Sequence, residues 1–131
     1  MKVTNGINGE LRVGDAVVSI YGSDYSFLVG TILEISLVGS PEHEMETDNE
    51  TDDVHVEFSG ANYSKQRIRE IEATCAELYG EEKDFNDCSL DDVIMPPEML
   101  IKADAFTADE MAAILESEEK ATTVCKTFLK E

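Results

Sequence analysis

Short runs of hydrophobic residues, separated by polar breaks, fill the first part of the chain. Residues 16–21 (AVVSIY), 27–38 (FLVGTILEISLV) and 54–58 (VHVEF) are rich in Val, Ile and aromatic residues, which favour β-strands. Gly, Asn and Asp lie between the runs and mark turns. Because an isolated hairpin is unstable, three such runs predict a small closed or nearly closed antiparallel sheet.

Two features of these runs lead to more specific predictions. Val54, Val56 and Phe58 alternate with polar residues and therefore share one face of a strand. The same alternation places His55 on the opposite face and predicts that its side chain is exposed to solvent. Gly30 interrupts the second run and predicts a bulge or a sharp bend in that strand.

Beyond residue 72 the pattern becomes helical. Thr107 and Glu110 have the spacing of a capping box, in which each side chain bonds to the other's backbone N–H. Lys126 and Lys130 lie near the end of this part of the chain, where positive charge interacts favourably with the negative end of a helix dipole. The pattern predicts one amphipathic helix running nearly to the end of the chain. Its apolar stripe, interrupted at Glu118, consists of Met111, Ile114, Leu115, Ala121, Thr122, Cys125, Phe128 and Leu129.

Two shorter helices are predicted before this one. Residues 89–92 (SLDD) have the composition of a helix N-terminus, and Pro96 must end a helix that begins there. Pro97 is a favourable first residue for a further helix that continues through Ile101. The second part of the chain therefore contains about three helices.

The segment between these two parts allows two interpretations. One is a single helix over residues 64–79 that ends at Gly80, a residue type common just after a helix. The other is a short strand over residues 67–70, followed by a helix from Glu72. The first interpretation rests on apolar residues at helical spacing, namely Ile68, Ile71, Cys75 and Leu78.

Charge restricts the function more than length does. The chain has 131 residues, 42% of them hydrophobic, which suits a folded domain. Its 29 acidic and 10 basic residues give a net charge of −19. Phosphate backbones require a basic surface, so we expect no direct nucleic-acid binding, and the small basic cluster at Lys65, Arg67 and Arg69 does not change this. The longest uncharged run, residues 25–33, is too short to cross a membrane.

The chain start and the cysteines bear on location. No apolar stretch follows the first cation, as a secretory signal would require, and this predicts a cytoplasmic protein. The three cysteines Cys75, Cys88 and Cys125 are odd in number and widely spaced, which does not indicate a disulfide framework. We expect reduced, partly buried thiols.

Residues 40–53 (SPEHEMETDNETDD) form the most acidic segment. It contains no Lys or Arg, and self-repulsion predicts an extended hairpin loop. Asp48, Glu50 and Asp52 alternate as in a calcium loop, but the required glycine is missing, so we expect no dedicated metal site. The carboxylates of the segment are Glu42, Glu44, Glu46, Asp48, Glu50, Asp52 and Asp53.

No catalytic motif stands out. His43 and His55 lie beside no recognisable serine or cysteine nucleophile motif, and no glycine-rich phosphate loop is present. We therefore expect a non-enzymatic protein without a cofactor.

The first 71 residues, taken together, resemble a small β-barrel of the Tudor and KOW type. The resemblance implies an α+β protein with a five-stranded antiparallel barrel over residues 1–71, including the acidic loop 40–53. It also favours the closing strand at residues 67–70. A helical extension over residues 72–131 would pack on the barrel, with the stripe of the last helix against the barrel or a second copy. The matching segments are Gly14-Asp15-x-Val17, residues 25–35, Val54-x-Val56-x-Phe58 with Asn62-Tyr63, and Arg67-Ile68-Arg69-x-Ile71.

The resemblance also implies a binding site. Barrels of the Tudor kind can hold a methylated cation in an aromatic cage, because aromatic faces attract cations. The alternative is that these aromatic residues belong to the barrel core. The matching positions are Tyr21, Tyr25, Phe27, Phe58 and Tyr63, with Asn62 as a polar neighbour.

The sequence thus predicts a protein-interaction module that binds a basic protein partner, since opposite charge speeds association. The alternative is a DNA-mimic type inhibitor or regulator of a nucleic-acid-acting protein. If neither function holds, the negative charge only keeps the protein soluble. No membrane partner is expected, and the oligomeric state is left open. The predicted contact residues are Tyr21, Tyr25, Phe58, Asn62, Tyr63, Glu44, Glu46, Asp48, Glu50, Asp52 and Asp53.

Overall fold

Strands and helices are mixed along the chain, and the α+β class is confirmed. The structure, a computed structural model, describes residues 2–20 and 26–128. Its strands are β1 (Val3–Asn5), β2 (Glu10–Arg12), β3 (Ala16–Ser19), β4 (Val29–Ser36), β5 (Asp53–Glu57), β6 (Val93–Met95) and β7 (Leu100–Lys102). Its α-helices are α1 (Pro41–Glu46), α2 (Lys65–Tyr79), α3 (Ala108–Glu116) and α4 (Glu118–Cys125).

Five antiparallel strands form one sheet in the order β6-β5-β4-β3-β7, and β1 pairs with β2 in a separate hairpin. The predicted closure into a barrel is wrong for this sheet, because its edge strands β6 and β7 do not pair with each other. Both edge strands come from beyond residue 72, in the part predicted to be helical. The wider resemblance to Tudor and KOW barrels stays a prediction.

The preferred closing strand at residues 67–70 is wrong, since these residues belong to α2. Local capping explains the helix. The Ser64 side chain accepts a hydrogen bond from the Arg67 N–H at 3.0 Å, and Gly80 adopts the left-handed conformation just after the helix (φ 75°). The buried positions follow a spacing of four and are Arg67, Ile71 and Cys75.

The capping box at the start of α3 is confirmed. The Thr107 hydroxyl accepts from the Glu110 N–H at 3.1 Å, and the Glu110 carboxylate accepts from the Thr107 N–H at 2.8 Å. The expected single helix is nevertheless split into α3 and α4. Ser117 has an extended backbone, ends α3, and caps α4 by accepting from the Lys120 N–H at 3.2 Å. Its buried side chain thus begins a second helix.

The helix predicted to begin at residues 89–92 is also wrong. Val93 and Met95 are buried while Ile94 between them is exposed, which is the two-residue period of a strand. Pro97 does begin a helical turn, but this 3₁₀ turn ends at Met99 and β7 follows. Both short strands form because the edges of β5 and β3 offer unpaired backbone groups.

Side chains on the two faces of the sheet enter two hydrophobic clusters. In β3, Val17 belongs to the cluster that includes Ile71 of α2, while its neighbour Val18 belongs to the cluster that includes Ile114 of α3. Leu100 and Ile101 of β7 divide in the same way. The sheet therefore has hydrophobic contacts on both faces, which is why its strands contain consecutive apolar residues.

Gly30 is required by close packing. The irregularity in the β4–β5 ladder lies between Ile32 and Glu34, so the bulge predicted at Gly30 is misplaced. A Cβ atom on Gly30 would lie 2.6 Å from Cγ1 of Val56 and 2.7 Å from the carbonyl oxygen of Glu57. Only glycine allows β5 to approach so closely.

We expect Gly30→Ala to lower the free energy of unfolding by about 1–3 kcal/mol, because backbone atoms of β5 would have to move. Urea unfolding followed by circular dichroism measures this effect. Gly60→Ala is the matched control: the added methyl group meets only the flexible end of Glu57, and the change should stay within about 0.5 kcal/mol. Equal losses in both variants would contradict the packing argument.

Candidate functional site

The acidic segment 40–53, here called the acidic lobe, is folded rather than extended. The Ser40 hydroxyl accepts from the His43 N–H at 3.3 Å and caps α1, and Pro41 occupies the first turn. Glu42 and Glu44 also lie in the first turn, where carboxylates suit the positive end of the helix. The helix gives the repelling charges a defined arrangement on the surface.

A buried carboxylate fixes the far end of the lobe. Asp53 is fully buried and accepts hydrogen bonds from the Thr47 hydroxyl at 2.7 Å and the Asn49 side-chain amide at 3.0 Å. His43, also buried, donates from Nε2 to the carbonyl oxygen of Thr51 at 2.7 Å, and the same nitrogen lies 3.5 Å from Asp53. A buried carboxylate is tolerated only with donors of this kind.

A second carboxylate, that of Asp52, connects the lobe by hydrogen bonds to residues outside it. Asp52 accepts from the Thr4 hydroxyl at 2.6 Å and from the backbone N–H of Val38 at 2.8 Å. It therefore connects the lobe with β1 and with the end of β4. Asp52 and Asp53, both predicted as partner contacts, have their oxygen atoms engaged within the fold.

The outward face of the lobe is acidic and concave. Glu44, Asp48 and Glu50 are exposed and form no ion pair with any described residue, whereas Glu42 pairs with Lys2 at 3.3 Å. A groove of about 480 Å³ lies between α1 and the end of β4. Its lining consists of Val38, Gly39, His43, Glu44, Thr47, Asp48 and Asn49.

The remaining carboxylate of α1, that of Glu46, is partly exposed and lies beside a histidine. Nε2 of His55 lies 3.0 Å from the carboxylate of Glu46, and Nδ1 lies 2.9 Å from the carboxylate of Asp92. The prediction of an exposed His55 is wrong: it is only 9% exposed, because the lobe and the segment before β6 cover this face of the sheet. Glu34 lies directly opposite His55 in the β4–β5 ladder.

We call Glu34, Glu46, His55 and Asp92 the His55 cluster. Ligand atoms of Glu34, Glu46 and His55 all lie within 4.8 Å of one another. Burial by itself lowers the pKa of His55, but its hydrogen bonds and charge interactions with Glu46 and Asp92 outweigh burial, and the pKa is raised from 6.5. The cluster can therefore hold a proton, or a metal ion in its place.

Sequence reasoning missed Glu34 and Asp92. Neither residue belongs to a motif, and their proximity to His55 depends on the strand register and on the fold of the segment before β6. The one available signal was that Glu34 is the only charged residue in the run from residue 27 to residue 38.

The predicted aromatic residues occupy a different environment. Phe58 is fully buried, and the Tyr63 hydroxyl lies 2.9 Å from the carbonyl oxygens of Val29 and Phe58. Burial raises the pKa of Tyr63. The structure thus places Phe58 and Tyr63 in the core, while Asn62 is exposed. Tyr21 and Tyr25 lie outside the described residues.

The predicted basic cluster does not form a surface patch. Arg67 is 3% exposed and lines a cavity of about 40 Å³, room for little more than water. Its guanidinium donates to the carbonyl oxygen of Ser26 at 3.2 Å and lies 3.7 Å from the carboxylate of Glu70. Lys65 and Arg69 remain exposed on α2.

The three cysteines are free and buried, whereas partly buried thiols were expected. Burial, together with the neighbouring Cys75, raises the pKa of Cys88 to about 12, and burial raises that of Cys125 to about 11. Thiols with such high pKa values are poor nucleophiles at neutral pH.

Comparisons of this chain with protein-family models, with curated proteins and with solved structures each find no match. Within residues 2–20 and 26–128, no helix combines the length and the apolar character that crossing a membrane requires.

Tyr63→Phe should lower the free energy of unfolding by about 1–3 kcal/mol, because the buried carbonyl oxygen of Phe58 and the partly buried one of Val29 lose their shared hydroxyl donor. Urea unfolding measures the change. Asn62→Ala, at the exposed neighbour, is the control and should have almost no effect. An unchanged stability of Tyr63→Phe would show that these hydrogen bonds contribute little.

A raised pKa makes His55 stabilising at low pH. The contribution is fully present below the unfolded pKa near 6.5 and is lost as pH rises through the higher folded value. We expect the unfolding free energy, measured with a chelator from about pH 6 to about pH 9, to fall less steeply in Glu46→Gln than in the wild type. Glu44→Gln, which leaves the His55 cluster intact, should keep the wild-type slope. The same slope in all three proteins would contradict this assignment.

Proposed function

We propose that this chain is a non-enzymatic interaction module whose acidic lobe binds a Lys- or Arg-rich segment of a partner protein. The observation that carries the proposal is the groove lined by Glu44 and Asp48. Both carboxylates are exposed and lack an ion-pair partner among the described residues. A cationic side chain entering this groove would meet two negative charges at once.

The construction of the groove supports this role. His43 and Asp53 hold the lobe from within, so that little conformational entropy is lost when a partner binds. Val38, which is exposed beside the carboxylates, suits the aliphatic stem of a Lys or Arg side chain. The net charge of −19 adds a long-range attraction that speeds association and weakens with salt.

The proposal separates the predicted contact residues by role. Glu44, Asp48 and Glu50 face outward and contact the partner, whereas Glu46, Asp52 and Asp53 maintain the shape of the lobe. The DNA-mimic alternative requires a broader acidic surface and depends less on the groove. Substitutions inside and outside the lobe therefore distinguish the two functions.

The test compares two variants that lose the same charge. One carries Glu44→Gln, Asp48→Asn and Glu50→Gln; the other carries Glu77→Gln, Glu98→Gln and Asp104→Asn, all exposed positions outside the lobe. Binding of a fluorescently labelled Lys/Arg-rich peptide is followed by anisotropy, with a chelator present. The lobe variant should bind about five- to tenfold more weakly than the control variant, and wild-type affinity should fall with salt.

Equal weakening in both variants would contradict a lobe-specific site. If the wild-type chain also displaced a DNA-binding protein from duplex DNA, the result would favour the DNA-mimic function. Wild-type binding that does not change with salt would contradict an electrostatic function altogether.

A further inference from the structure

We propose that the His55 cluster is a binding site for one divalent transition-metal ion of the zinc type, with His55 Nε2 and the carboxylates of Glu34 and Glu46 as ligands. The proposal does not depend on binding of a basic partner. It concerns other residues than the calcium-like spacing at residues 48–52, where no dedicated metal site is expected.

The distances suit a shared ion. The Nε2 atom of His55 and the nearest Glu46 oxygen are 3.0 Å apart, and a Glu34 oxygen lies within 4.8 Å of both. In a tetrahedral site, ligands bound to zinc at about 2.0–2.2 Å are separated from each other by roughly 3.3–3.6 Å. An ion could thus replace the proton between His55 and Glu46 with small adjustments, mainly of the Glu34 side chain.

Asp92 orients the histidine for this role. Its carboxylate accepts the Nδ1 hydrogen of His55 at 2.9 Å, so loss of the proton on Nε2 leaves a lone pair directed toward Glu46. Metal-binding histidines are commonly oriented by a carboxylate on the other ring nitrogen, and this contact also strengthens the ligand. The cluster therefore contains both a set of ligands and an orienting group.

The irregularity in the β4–β5 ladder brings Glu34 to the site. Between the pairs Ile32–Val56 and Glu34–His55, β4 advances two residues while β5 advances one. The extra residue, Leu33, is exposed like Glu34, and Ile32 is fully buried. Bulges commonly redirect side chains near functional sites. In a regular ladder Leu33, not Glu34, would lie opposite His55.

The ligand types select the class of ion. One imidazole with two carboxylates suits Zn²⁺ and its neighbours among the transition metals, whereas Ca²⁺ and Mg²⁺ prefer oxygen ligands alone. An ion would also offset the repulsion among Glu34, Glu46 and Asp92, which lie around a single ring in a strongly acidic chain. His55 is largely buried, and the exposed Glu34 and Glu46 leave an access route.

The ion would join three parts of the molecule. Glu34 belongs to β4, His55 to β5, and Glu46 is the last residue of α1. Metal binding should therefore fasten the acidic lobe to the sheet and raise the melting temperature. Zinc usually takes four ligands and the cluster supplies three. The fourth position would therefore be open to water or to a group of a partner.

Calorimetric titration of the chelator-treated full chain with Zn²⁺ tests the proposal. We expect one equivalent to bind, and Glu34→Gln or Glu46→Gln to weaken binding at least tenfold. Glu44→Gln is the matched control, because it removes one charge from the same helix outside the cluster. Zinc should raise the melting temperature of the wild type and of Glu44→Gln, but not that of the two ligand variants. Co²⁺ should give a ligand-field absorption band that Zn²⁺ abolishes and Ca²⁺ does not.

Two results would overturn the site. One is the absence of stoichiometric Zn²⁺ binding to the wild type. The other is equal weakening in Glu44→Gln, Glu34→Gln and Glu46→Gln, which would indicate diffuse attraction to the acidic surface. Because Glu34 is exposed, the Glu34→Gln variant should fold even if a variant at the buried His55 does not. Circular dichroism verifies that it is folded. Peptide binding is measured with a chelator present, so either proposal can fail without the other.

Discussion

The pairing of β4 with β5 is the constraint on which most of this structure depends. β4 is the central strand of the sheet, and β5 approaches it so closely that position 30 must be glycine. The same ladder places Glu34 opposite His55. It also brings the two ends of the acidic segment together, so these charges must be accommodated within a short connection. The His55 cluster and the lobe both follow from this pairing.

A strongly acidic chain has to separate its carboxylates by environment. Asp53 is tolerated in the interior because Thr47 and Asn49 donate to it and His43 lies close by. Glu46, although partly exposed, is held beside β5 by its contact with His55. Carboxylates without such partners remain in solvent, where they repel one another and attract cations. The acidic surface and the His55 cluster are thus two results of the same excess of negative charge.

Local sequence patterns predicted the elements well where the conformation depends on residues close together in the chain. The three β-rich runs became β3, β4 and β5, and the capping box at Thr107 begins α3. Predictions failed where a neighbour in space decided the conformation. Residues 93–95 form a strand because β5 has a free edge. One buried serine, Ser117, divides what the apolar stripe presented as a single helix.

The sequence by itself determined the α+β class, the acidic surface, the main strands and the caps, because these depend on composition and on contacts between near neighbours in the chain. The tertiary structure alone decided that the sheet is open, that Phe58 and Tyr63 are core residues, and that Glu34, Glu46 and Asp92 surround His55. These features depend on strand register and on contacts across tens of residues, and no local pattern of hydrophobic and polar positions encodes such contacts.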